Sequence, residues 1–142
     1  MSNLPEHVVK AWAGEHGVAV PRGVTAPDPE TIQAGGLTPP LVLKAYGPGL
    51  LHKSDAGAVR LQLASAEDAV QAAREMRGAL TAQGITPDGF LVEEQSAPGV
   101  EVIVGAVNDA SFGPVLLVGL GGVWAEVLHD TAVRLAPITA SD

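Results

Sequence analysis

Residues 41–63 read LVLKAYGPGLLHKSDAGAVRLQL, a stretch in which two apolar runs enclose a polar, glycine-bearing middle. The first run, 41–46, is bounded by Pro39-Pro40 and by Gly47-Pro48-Gly49, and residues 59–63 alternate apolar with polar, so two strands flank one loop. Alternation along the first strand groups Lys44 with Val42 and Tyr46 and turns Leu41, Leu43 and Ala45 the other way. A lysine in the middle of such a strand calls for an anion; snorkelling from an edge strand accounts for it equally well. The loop sets His52, Lys53, Ser54 and Asp55 side by side, between glycines that let backbone amides approach a ligand. It is not a Walker A loop, which needs two glycines five apart followed by Lys-Ser and a helix. A solvated turn with an ordinary histidine and aspartate is the alternative at this point.

Working outward, Asn3, Pro5 and Glu6 form a start signal for a helix over 4–16, with an apolar face of Leu4, Val8, Ala11 and Trp12 and a stop at Gly17. Residues 18–21 read as a short extended segment, and Asp28-Pro29 caps a small second helix before Gly35-Gly36. Ser65, with Asp68 three residues on, opens a strongly periodic helix to about residue 83, with Ala69, Val70, Ala73, Met76 and Leu80 on one face. Further strands are predicted over 90–94, 100–107, 114–120, 123–128 and 132–135. They follow one another too closely for helical crossovers, so the expected class is α+β, a mainly antiparallel sheet with flanking helices, in one domain over 1–142.

The 142 residues are 46% hydrophobic and 17% charged, enough for one core. A formal net charge of −8, with the cations scattered, argues against a nucleic-acid surface but not against a nucleotide, because a few placed cations dominate inside a pocket. The lack of cysteine excludes disulfides and thiolate metal sites. No basic region leads into an apolar one at the start, and the most apolar stretch, 114–128, is too short for a bilayer and carries Glu126. These features predict a soluble, cytoplasmic protein without membrane partners.

Two more carboxylates stand among apolar neighbours: Glu94 shares a strand side with Phe90 and Val92, and Glu101 with Ile103 and Val107. The turn between them, including Gln95, Ser96 and Ala97, offers backbone groups of the kind an adenine edge needs, while a carboxylate can accept both ribose hydroxyls. Exposure to water is the competing explanation. Gly119-Leu-Gly-Gly122 is a weak phosphate-loop signal, best read as a tight strand connection, with Glu126 and Asp130 near enough to face a metal. His7, His16 and His129 lack ligand-like spacing and read as surface residues.

The stretch 41–63, then FLVEEQSAPGVEVIVGAVNDASFGPVLLVGLGG and VWAEVLHDTAVRLAP, resembles in order the ATP-grasp region of the NDP-forming acyl-CoA synthetases, a group that includes the ADP-forming acetate-CoA ligases and is related to succinyl-CoA synthetase. The resemblance spans nearly the whole chain, and its His-Lys-Ser-Asp loop and its EVIVG and FGP runs are specific. It implies an ATP-grasp fold, ATP or ADP with Mg2+ as cofactors, and a CoA-binding or ligase subunit or domain as partner. By that resemblance Lys44 contacts nucleotide phosphates, and Lys53 is expected beside it at the nucleotide as electrostatic support for phosphoryl transfer. Glu94 and the backbone of Gln95, Ser96 and Ala97 hold adenine, and Glu101 takes the ribose. His52 matches the position that carries a phosphoryl group, a task suited to an imidazole that is nucleophilic when neutral near pH 7.

Two departures qualify the carry-over. Ala58 stands where the family usually has a second glycine, which narrows the room for phosphate. Family members also continue past residue 142 to an acidic Glu-x-Asp-x-Asn-Pro stretch thought to bind magnesium, so no metal ligands are assigned. The expectation is thus the ATP-binding part of an ADP-forming acid-CoA ligase, C-terminally incomplete and inactive without the missing segment and its CoA-binding partner. A non-catalytic nucleotide-sensing module, or a truncated remnant, is the alternative.

Overall fold

The structure, a computed structural model, describes residues 4–50, 57–122, 131–139 and 141. It divides into two compact units, Met1–Ser96 and Ala97–Asp142. Among the described residues every strand pairing is antiparallel.

The first unit contains α1 (Glu6–Glu15), β1 (Gly23–Ala26), a 3-10 turn (Pro29–Thr31), β2 (Leu41–Tyr46), β3 (Val59–Leu63), α2 (Ala66–Ala82) and β4 (Gly89–Glu94). Its sheet runs β1-β4-β2-β3, which makes β2 an interior strand. The first strand, Gly23–Ala26, follows the extended segment read at 18–21; Pro21 has no N–H to give a ladder, and pairing with β4 starts after it. The Ser65 hydroxyl caps α2 by accepting the Asp68 N–H at 3.0 Å. Ala69, Ala72, Ala73, Met76 and Leu80 of that helix then bury against Leu41, Leu43, Ala45, Phe90 and Val92. Each large side chain so buried stabilises by roughly 1.5–3 kcal/mol. Ala58 belongs to the same core and is fully buried, with its carbonyl accepting the Ala45 N–H at 2.9 Å, so its methyl fills core volume.

The first helix departs from expectation. It begins at Glu6 with Pro5 before it, and the capping residue read at Asn3 lies outside the described residues. None of its residues is buried, and the predicted apolar face is turned to solvent, with Leu4 67% and Trp12 61% exposed. Its inward-facing groups are instead polar: Glu6 and Lys10 ion-pair with β2 and β4, and His7 stacks obliquely on Tyr46 at 4.6 Å. The helical period holds, and the charged side of α1 faces the sheet because Glu93 and Lys44 supply partners there for Lys10 and Glu6.

The second unit is a sheet of β5 (Val102–Asp109), β6 (Gly113–Leu120) and β7 (Thr131–Leu135) in that order. Asp109 shapes the β5–β6 hairpin by accepting the Ser111 and Phe112 N–H groups at 2.8 and 3.0 Å, and Gly113 follows at φ +75°. The strand predicted over 123–128 lies outside the described residues, as do Glu126, His129 and Asp130.

Candidate functional site

Lys44 points from the interior strand β2 to the sheet face opposite α2, so snorkelling from an edge does not explain it. Its Nζ meets Glu6 Oε1 at 2.5 Å and Glu93 Oε2 at 2.8 Å. Lys10, one turn along α1 from Glu6, reaches Glu6 Oε1 at 2.9 Å and the two Glu93 oxygens at 2.6 and 2.8 Å. Two lysines and two glutamates thus cluster on one side of the sheet. Burial works to lower the Lys44 pKa, but hydrogen bonds and charge from Glu6 and Glu93 outweigh it and hold the value above 10.5. Lys44 is a firmly protonated cation.

Glu93 is the functional candidate that sequence reading missed. It is 3% exposed, whereas the sequence pattern singles out its neighbour Glu94. The usable signal was the pairing of β2 with β4: Val42 opposite Glu93 and Lys44 opposite Leu91 bring Glu93 to the lysine's side.

Glu94 lies at the end of β4, where Oε1 accepts from the Thr38 N–H at 2.9 Å and from Arg22 at 3.2 Å, and Arg22 also donates to the Gly36 carbonyl. Gln95 ties three segments together. Its N–H donates to the Pro40 carbonyl at 2.8 Å, and its side-chain oxygen accepts from the Gln62 N–H at 2.9 Å. Gln62 has φ 59° in a bulge where Val42 faces both Leu61 and Gln62, so this hydrogen bond supports an unfavourable backbone conformation. Any adenine contact by Gln95 therefore uses groups other than its N–H. Ser96 ends the first unit and Ala97 begins the second.

In the second unit Glu101 precedes β5, and its carbonyl accepts the Gly121 N–H at 2.8 Å. The Glu101 side chain lies along the glycine turn so closely that a Cβ on Gly122, at φ +58°, would be 2.7 Å from Oε2. The Gly119 to Gly122 stretch is thus a strand end and tight turn that gives a carboxylate room. His52 and Lys53 lie outside the described residues. Of the histidines read as surface groups, His16 is exposed, but the His7 ring is half-buried and its Nδ1 has no hydrogen-bond partner among the described residues. Among the described residues no group of three or more His, Asp or Glu could hold a metal, and no helix is long and apolar enough to cross a membrane.

Comparison with known proteins adds the following. The family described as ATP-grasp domain matches residues 1–142. The beta subunit of an ADP-forming acetate–CoA ligase from Pyrococcus furiosus is 36% identical over 133 residues, covering 89% of this chain and 56% of that protein. An ADP-forming acetate–CoA ligase from Archaeoglobus fulgidus is 33% identical over 141 residues, 98% of this chain but 20% of its own length. Among solved structures, the Ca. Korarchaeum cryptofilum acetyl-coenzyme A synthetase 1, in complex with coenzyme A and Ca-AMPCP, superposes with a TM-score of 0.87 at 34% identity. That match covers 96% of this chain and 61% of the other. The same enzyme with Mg-AMPPCP, its phosphohistidine segment pointing towards the nucleotide binding site, gives a TM-score of 0.78 at 34% identity, covering 98% of this chain and 60% of the other. The chain thus spans little more than half the length of the beta subunit and of these solved chains.

Proposed function

The chain belongs to the ATP-grasp domain family, and on that premise we propose that it is the nucleotide-binding portion of an ADP-forming acid-CoA ligase. The observation that carries this reading is Lys44, a protonated lysine that Glu93 holds in place on an interior strand, the kind of fixed cation a phosphate calls for. Glu101, beside the Gly121-Gly122 turn, takes the ribose hydroxyls. Glu94, with backbone groups of Gln95, Ser96 and Ala97, takes adenine.

His52 relays the phosphoryl group. A ring nitrogen bonds to the terminal phosphorus as the bond to the ADP oxygen breaks, and the group passes on to a CoA-binding subunit or domain; the reverse direction runs through the same bonds. Lys53 supports the charge on the transferred group. Glu6 and Glu93 are occupied with lysines and no group among the described residues could hold a metal, so magnesium would come with the nucleotide phosphates and supply charge neutralisation there.

The test combines binding with labelling. Calorimetry with ATP and magnesium should give saturable binding to this chain. With a family CoA-binding chain and the remaining ATP-grasp segment added, labelled ATP should leave an acid-labile, base-stable phosphoprotein that His52→Asn abolishes. Binding without label under those conditions favours a nucleotide-sensing module, and no binding at millimolar nucleotide overturns the reading.

A further inference from the structure

The four charges beneath α1 are not equivalent. Glu93 stands on a strand inside the sheet, its side chain 4% exposed, and both lysines hold it. Glu6 stands in the first turn of a helix with no buried residue, and its side chain is 28% exposed. We infer that Glu6 is an internal occupant of Lys44 that a bound polyphosphate displaces, while Glu93 stays in place as the positioning residue that keeps Lys44 aimed. The inference rests on the reading of Lys44 as a phosphate ligand.

Charge and geometry both favour Glu6 as the leaving group. A phosphate oxygen bonded to Lys44 Nζ would lie beside the Glu6 carboxylate, which already contacts that atom, and like charges so close repel. Glu93 would keep Lys10 on yielding Lys44, but at 4% exposure it has no water to replace the second cation, whereas Glu6 is 28% exposed. Glu6 can yield, because Lys10 lies one turn along the same helix and keeps it paired. Exchange of one anion for another also leaves Lys44 with two anionic partners, so no desolvated charge is stranded. Partly exposed ion pairs contribute little each, and α1 turns Val8, Val9 and Trp12 to solvent, so little apolar burial opposes its movement. Glu6 thereby lowers the affinity of the phosphate site and links its occupancy to the docking of α1.

The experiment uses the 142-residue chain with Mg-ATP, inorganic tripolyphosphate and adenosine as probes. Affinity is read by calorimetry and α1 docking by amide hydrogen exchange. Glu6→Gln should tighten ATP and tripolyphosphate by about three- to tenfold and leave adenosine unchanged, and either phosphate probe should speed exchange in α1 of the unmodified chain. Glu15→Gln removes the same charge from the exposed end of the helix, and it should do neither. If ATP binds with equal affinity before and after Glu6→Gln, the inference is overturned and the nucleotide reading survives. If ATP fails to bind while tripolyphosphate binds more tightly to Glu6→Gln, the nucleotide reading falls and the inference holds. Binding of neither probe overturns both.

Discussion

Lys44 and Glu93 meet at 2.8 Å across the neighbouring strands β2 and β4, diagonal to each other in the register, with the Glu93 side chain 4% exposed. Glu6 approaches the same lysine from a helix above the sheet and is far more open to water. Glu93→Gln should therefore cost about 3 kcal/mol, since it removes the charge of a buried, doubly paired carboxylate. Glu6→Gln should cost under about 1 kcal/mol, in the range of exposed ion pairs. Urea unfolding of the two variants measures the difference; equal losses would show that burial does not rank these carboxylates.

The same cluster predicts how stability responds to alkali. Lys44 is raised above 10.5: burial opposes the shift, while Glu6 and Glu93 produce it. Tyr46 is raised above 10.0 by burial and then by Asp88. Both groups hold their protons more tightly folded than unfolded, so their contribution is fully present below about pH 10 and is lost as pH rises through the raised values. Urea midpoints should stay level up to about pH 9.5 and fall beyond it. Lys44→Met should make that fall shallower, and an unchanged slope would remove Lys44 from the account.

Two glycine-to-alanine changes should have opposite signs. A Cβ on Gly89 would come within 2.7 Å of Tyr46 Cζ, closer still to the Tyr46 hydroxyl, and 2.8 Å from the Ala26 carbonyl oxygen. Gly89→Ala should destabilise by about 1–3 kcal/mol through overpacking. Gly78, exposed within α2, has nothing within 4 Å of its added Cβ, so Gly78→Ala should stabilise by about 0.5–1 kcal/mol. Thermal melts of the pair check both directions, and a stabilising Gly89→Ala would refute the packing at β4.

Gly122→Ala tests the room given to Glu101. The new methyl would fall 2.7 Å from the Glu101 carboxylate and must push it aside. If that carboxylate binds ribose, Gly122→Ala and Glu101→Ala should each weaken ATP by roughly tenfold, and the double variant by little more. Either single variant should discriminate less between ATP and its 2′-deoxy analogue than the unmodified chain does. Full additivity in calorimetry would mean that the turn and the carboxylate act independently.

Much of this molecule follows from its sequence because the deciding signals are local. Alternation along Leu41–Tyr46 sorted Leu41, Leu43 and Ala45 from Lys44 and Tyr46, and the Ser65 and Asp68 pair marked the start of α2. The order of motifs pointed to the ATP-grasp family, which the match over residues 1–142 bears out. Tertiary structure decided what depends on partners distant in the chain. The inward face of α1 turned on Lys44, 38 residues from Glu6, and on Glu93, 83 residues from Lys10. No helical periodicity contains that information, because the apolar stripe and the charged side of α1 are both well formed and only the sheet beneath selects between them. The same holds for Glu93 over Glu94: adjacent residues on a strand point to opposite faces, and the charge that makes one of them matter is supplied by a different strand.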